Sequence, residues 1–182
     1  YDNVEIVSTD ALKYPYETLG DSFRVVANIP YYITTPIIFN LLEYRASLKS
    51  MTLLMQKEVG RRIVAVPPGR EYGVLSISTQ LYTRPELKFT VSRKAFSPPP
   101  AVDSAVVHFD VSPVPLYDVG DAQLFRSIVK ACFSQRRKTI LNGLKAFAGI
   151  REALDAAGID PVVRPETLSI DKFADLARCL RK

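Results

Sequence analysis

The chain has 182 residues, 47% hydrophobic and 24% charged, with a formal net charge of +5. That composition supports one good core and a small second one, and two cysteines with a single histidine argue against a disulfide framework or a Cys/His zinc site, so no metal is expected. The apolar runs are broken by Asn, Pro, Thr or a charge well before the about eighteen residues a bilayer crossing needs, so no membrane partner is expected and the cytoplasm is the expected setting.

In chain order, the β-branched run Val4–Val7 predicts a strand that ends at Ser8-Thr9-Asp10, and Arg24–Ala27 predicts a second that ends at Asn28. Thr35-Pro36 offers an N-cap with proline at the first helical position. The Ile37, Ile38, Phe39, Leu41 and Leu42 that follow predict a helix buried on most sides. Met51–Met55 is the third strand candidate. Strand, helix, strand at this spacing is a βαβ crossover, which points to an α/β parallel sheet. Lys57–Val66 and Tyr72–Tyr82 suit helices broken by Pro67-Pro68-Gly69. Glu86–Val91 and Ser104–Val111 suit strands joined by the stiff loop Phe96-Ser97-Pro98-Pro99-Pro100. Beyond residues 112–118 only helical spacing recurs, in Leu124, Phe125, Ile128 and Val129 and again in Ile140, Leu141 and Leu144. A boundary there divides the chain into residues 1–112 and a helical part, residues 113–182. Phe133 and Ile140 are expected in the helical core, and both cysteines, Cys132 and Cys179, are expected as packing residues.

In open α/β sheets ligands sit beyond the carboxyl ends of the strands, where Asp10 and Asn28 both fall. An Asn side-chain oxygen and the carbonyl of Pro30 are two acceptors for an exocyclic amine, and Tyr31 offers a face for the ring that carries it. This suits methyl transfer to an aromatic amine, because the acceptors favour the nitrogen as it becomes tetrahedral and positive. Asn and Pro are equally ordinary residues of a strand-ending turn. The basic run Arg136-Arg137-Lys138, with Arg126, Lys130 and Lys145 near it, begins a helix-compatible stretch that is either a solvated face or a phosphate contact.

Five stretches in register decide between these readings. They are Asn28-Ile-Pro-Tyr-Tyr-Ile-Thr-Thr-Pro, Met55-Gln-Lys-Glu-Val-Gly-Arg-Arg, Tyr72-Gly-Val-Leu-Ser, Phe96-Ser-Pro-Pro-Pro-Ala-Val-Asp-Ser-Ala-Val-Val and Phe133-Ser-Gln-Arg-Arg-Lys-Thr-Ile-Leu-Asn. Together they resemble the KsgA family of rRNA adenine N6,N6-dimethyltransferases, over nearly the whole chain. The resemblance implies a Rossmann-like class I methyltransferase domain followed by a small all-α domain, S-adenosyl-L-methionine as cofactor, and 16S rRNA of the small (30S) subunit as partner. It implies that Asn28 and the Pro30 carbonyl hold the target amine beside the cofactor, that Tyr31 stacks on the base, and that Phe96 is a second aromatic near it. The alternative for Phe96 is a core anchor for the proline-rich loop. Asp10 takes the place of the acidic residue that accepts from the cofactor's own adenine. Arg136, Arg137 and Lys138 become an RNA contact, extended by Arg61, Arg62, Arg93 and Lys94.

The glycine-rich loop and acidic residue that open the family's domain have no counterpart among the eight glycines, which include no Gly-x-Gly pair. The expectation is a chain numbered from inside a longer protein and lacking the first two strands. Val4–Val7 is then displaced or paired with another chain, Arg24–Ala27 becomes an exposed edge, and the cofactor binds poorly to this stretch alone. Competing readings are an Erm-type rRNA methyltransferase, a DNA adenine methyltransferase sharing only the four-residue turn, and a non-catalytic ribosome-assembly factor.

Overall fold

The computed structural model describes residues 2–135 and 137–180. Its sheet has four strands in the order β1-β2-β4-β3, with β1 at Phe23–Asn28, β2 at Leu48–Gln56, β3 at Thr83–Val91 and β4 at Ser104–Val111. β1 and β2 run parallel, joined by helix α1 at Thr34–Glu43, as the crossover pattern predicts. β4 runs antiparallel to both β2 and β3, so the sheet is mixed. The physical reason is the connection: β3 returns into β4 through the proline-rich loop with no helix to carry the chain back, and such a return reverses strand direction.

Alternation along the strands places the core. Leu48, Met51, Leu53 and Met55 of β2 and Ala105, Val107 and Phe109 of β4 are buried, each large side chain contributing about 1.5–3 kcal/mol of transfer free energy. They meet α1, α2 (Lys57–Val64) and α3 (Val74–Gln80). The helix α2 lies close against β4: a methyl group on Gly60 would sit 3.1 Å from Val107 Cγ2 and 3.3 Å from the Ala105 Cβ. The carbonyls that end α2 are satisfied by side chains of α3, Arg62 O accepting from Ser76 Oγ at 2.5 Å and Ile63 O from Gln80 Nε2 at 2.8 Å. On the opposite face stand Val26, Thr52, Leu54, Val106 and His108, all at least partly exposed, with Val26 at 84%. There Thr52 Oγ1 and His108 Nδ1 lie 2.8 Å apart.

Two local expectations are corrected. Val4–Val7 forms no strand and is exposed, with Ile6 at 91%; its backbone has no neighbouring strand, and an extended run gains nothing without one. Helix α1 begins at Thr34 with Ile33 as its N-cap, so Thr35 is not the cap and Pro36 is the third helical residue. Pro36 is tolerated there because the amide it lacks has no intrahelical partner in the first turn. The edge position expected for Arg24–Ala27 is what the sheet shows: β1 pairs only with β2.

After β4 come α4 (Ala122–Ser134), α5 (Ile140–Leu144), α6 (Ile150–Ala156) and α7 (Ile170–Leu180). Asp121 caps α4, its Oδ1 accepting from Gln123 N at 2.8 Å and Leu124 N at 3.0 Å. Phe133 links the two parts: its ring meets Tyr72 edge-on at 6.2 Å and Phe173 at 6.0 Å. Phe133, Ile140 and Cys132 are buried, and Cys179 is half-buried. Among the described residues no helix is long and apolar enough to cross a membrane.

Candidate active site

The carboxyl ends of β1 and β2, the end of β3 and the start of β4 meet at one edge of the sheet, where Asn28 is the register partner of Leu54, and Ser104 that of both Gln56 and Val91. At this edge the chain leaves β1 through Asn28-Ile29-Pro30-Tyr31. Ile29 is buried and its amide donates to Leu54 O at 3.3 Å, which fastens the turn to β2. Asn28 on one side of this anchor and Pro30 on the other are exposed.

Pro30 O accepts from Ile33 N at 3.1 Å and so starts the single 3-10 turn Tyr31–Ile33 that leads into α1. A carbonyl has two lone pairs, so the second remains open to a further donor. Tyr31 is half-buried and its hydroxyl lies 2.8 Å from Ser104 Oγ. Ser104 is fully buried at the first position of β4. The Tyr31 ring is therefore fixed at both ends, by the 3-10 turn and by a buried hydroxyl. A ring held in this way has little side-chain freedom left to lose to a further contact.

Phe96 follows a 3-10 turn at Arg93–Ala95 and is half-buried. It lies in the loop between β3 and β4 that ends at Ser104, so Tyr31 and Phe96 are brought to the same edge from opposite sides of the sheet order. Asp103 braces this loop, with Oδ1 accepting from Arg93 N at 3.0 Å and Oδ2 lying 3.9 Å from Lys57 Nζ. Ser104 and Asp103 were not singled out from the sequence as site residues. The available signal was a serine opening the otherwise apolar alternation Ser104-Ala-Val-Val, directly after an acidic residue and a proline run.

Asp10 is exposed and its recorded hydrogen bonds stay within its own turn, Oδ1 accepting from Leu12 N at 3.0 Å and O from Lys13 N at 2.9 Å. Asn40 of α1 donates to Leu12 O at 3.2 Å and ties this turn to the crossover helix. Among the described residues no hydrogen bond joins the Asp10 turn to the Asn28–Tyr31 turn.

Arg137 and Lys138 are exposed in the connection between α4 and α5, not within a helix, and Arg136 lies outside the described residues. Helix α5 starts only at Ile140, capped by Thr139. Arg126, Lys130 and Lys145 are exposed. Among the described residues no group of three or more His, Cys, Asp or Glu side chains is placed to hold a metal ion.

Comparison with known proteins adds three findings. A family model described as ribosomal RNA adenine dimethylase matches residues 1–182. The chain is 44% identical over 195 aligned positions to proteins of Bacillus mycoides and Bacillus cereus named ribosomal RNA small subunit methyltransferase A, an alignment that covers 99% of this chain and 67% of theirs. Among solved structures it is similar to a dimethyladenosine transferase from Plasmodium falciparum, with a TM-score of 0.78 and 26% identity over 97% of this chain and 72% of that one. It is also similar to the 23S rRNA methyltransferase ErmE, with a TM-score of 0.72 and 26% identity over 100% of this chain and 73% of that one.

Proposed function

This chain belongs to the ribosomal RNA adenine dimethylase family, and from that premise we propose that the Asn28–Tyr31 turn is the part of the enzyme that takes hold of the target adenine. The activity is S-adenosyl-L-methionine-dependent dimethylation of adenine N6 in rRNA, on a Rossmann-like methyltransferase fold. The observation that carries our reading of the site is the Tyr31 ring pinned by buried Ser104, beside two acceptors at a strand end.

Each residue then has a defined task. The Asn28 side-chain oxygen and the free lone pair of Pro30 O accept the two hydrogens of the adenine amine, which turns the nitrogen lone pair away from the ring and outward. Both acceptors bind more strongly as positive charge develops on that nitrogen, which lowers the barrier more than it tightens the ground state. Tyr31 and Phe96 stack on the base once it has left its own stack in the RNA. No strong base is required of the protein, because the methylated cation loses its proton readily to water.

S-adenosyl-L-methionine supplies an electrophilic methyl group. The exposed Asp10 carboxylate and the amide of Asn28 are acceptors of the kind that hold an adenine amine and border a cationic donor.

Our reading places the substrate in the small ribosomal subunit, in the cytoplasm, supported by the names of the 44%-identical relatives. It also divides the chain at residues 112–113 into a catalytic part and a helical part, and assigns Arg137 and Lys138, with Arg136, to RNA phosphates. The similarity to ErmE makes large-subunit rRNA the alternative substrate.

The test, run on the full-length protein, is mass-spectrometric detection of N6,N6-dimethyladenosine after incubation with S-adenosyl-L-methionine and either undermethylated small subunits or 23S-derived RNA. We expect product only with the small subunits, and Asn28→Ala to slow its formation at least about 100-fold, in line with the loss of one transition-state acceptor. No product with either RNA, or an unaffected Asn28→Ala variant, would overturn the proposal. Product with 23S-derived RNA alone would replace it with the Erm-type reading.

A further inference from the structure

At the same edge of the sheet as the Tyr31 turn lies a hollow of about 540 Å³ whose walls carry Lys57, Glu58, Arg61, Glu71, Arg93 and Asp103. Its size falls within the about 300–1,000 Å³ of small-ligand clefts. Gln56 also lines it and is the register partner of Ser104, whose hydroxyl holds Tyr31. Gln56 and Ser104 thus connect the opening to the Tyr31 site, on the side where a nucleotide adjoining an adenine held on Tyr31 would have room.

The charges in the hollow are mixed, with three cations and three carboxylates, and they are not equivalent. Asp103 is occupied with Arg93 N and Lys57 Nζ, and Arg93 Nη1 donates to Ala101 O at 3.3 Å. Arg61, Glu58 and Glu71 are exposed, and among the described residues none of the three has an ion-pair partner within 4.0 Å. A surface that only followed the phosphate backbone would be lined by cations alone, since each carboxylate there repels phosphate. Carboxylates accept hydrogen bonds and never donate them when ionised, so their fit is to N–H groups on a base edge. Adenine, guanine and cytosine each carry an exocyclic amine, whereas uracil presents carbonyl oxygens in its place.

We propose that this hollow is a base-reading subsite for the nucleotide next to the target adenosine, with Arg61 on its phosphate and Glu58 and Glu71 accepting from the exocyclic amine of its base. The proposal rests on the adenine-handling reading of the Asn28–Tyr31 turn and gives that site a means of choosing sequence context.

The test uses hairpin RNAs whose single-stranded loop holds the target adenosine with each of the four bases at either neighbouring position, read by fluorescence anisotropy and by dimethyladenosine formation. At one neighbouring position we expect uracil to weaken binding about tenfold relative to the best amine-bearing base. The Glu58→Ala/Glu71→Ala double variant should compress that difference to within twofold. Arg61→Ala should weaken all the RNAs alike and lower the salt dependence by about one phosphate contact. The subsite is ruled out if the protein shows no base preference at either position, or if the double variant keeps it. Discrimination that is lost in the double variant, in a protein that transfers no methyl group to any RNA, would leave the subsite standing and overturn the enzymatic reading instead. Methyl transfer without discrimination would do the reverse.

Discussion

Ser104 has its only described task in the hydroxyl it presents to Tyr31, and that makes the pair separable by mutation. Ser104→Ala and Tyr31→Phe each remove one side of a part-buried hydrogen bond worth about 0.5–1.5 kcal/mol. The double variant should cost little more than either single one, because the second change removes a group already without its partner. Urea unfolding of the four proteins measures this, and strictly additive losses would show that the bond contributes nothing. Cys132 provides a second residue-scale prediction. Burial pushes its thiol from the ordinary 9.0 up to about 12, so between those values the unfolded chain has released a proton that the folded chain retains. Stability from this group is full below pH 9 and falls as pH rises towards 12, by about 1.4 kcal/mol per pH unit for one proton. Tyr72 is raised by burial first, with Tyr117 and Asp171 adding to it, and acts in the same sense. Urea midpoints from pH 7 to 11 should decline above pH 9, and Cys132→Ala should make that decline shallower; an unchanged slope would refute the assignment. The Asn28–Tyr31 turn was legible in the sequence as the polar end of an apolar strand, because its residues are neighbours in the chain. Ser104 was not, because its role depends on a partner 73 positions away.

At the scale of the elements, α2 lies close against β4 at Gly60. Alanine is the better helix former by about 1 kcal/mol. Its methyl group would meet Val107 Cγ2 at 3.1 Å and Ala105 Cβ at 3.3 Å, and the second of these cannot turn aside because it is joined directly to the backbone. Overpacking of this kind costs about 1–3 kcal/mol, so Gly60→Ala should leave a net loss of roughly 1 kcal/mol, and Gly60→Val a larger one. Thermal unfolding checks the order; a raised melting temperature for Gly60→Ala would show that α2 can move outward freely. Periodicity located β1, β2, β4, α2, α3 and α4 because each buries one regular face. It misplaced the start of α1, where a 3-10 turn precedes the helix and proline sits in its third position. It also assigned a strand to Val4–Val7, since β-branched composition reports willingness to pair and says nothing of whether a neighbour is present.

For the whole molecule, the family's motifs spread across both parts of the chain, which is why fold class and activity were legible before any geometry. Strand direction was not, because the mixed sheet depends on how the β3–β4 loop returns. The position of β1 has a consequence for motion. A central strand is hydrogen-bonded on both sides, as β2 and β4 are, whereas among the described residues β1 is held by β2 alone and β3 by β4 alone. The amides of β1 should exchange with deuterium well before those of β2 and β4, through local opening that leaves the rest of the sheet intact. Ile29, bonded to Leu54 O, should mark where that opening stops; equal protection of all three strands would show that the sheet opens only as a unit. Asn28 is the last residue of this strand, so in the proposed site the acceptor for the adenine amine sits on a strand that is paired on one side. On that proposal, a chain segment that covered the outer side of β1 would steady the acceptor as well as the strand, and the order of the site would depend on that margin.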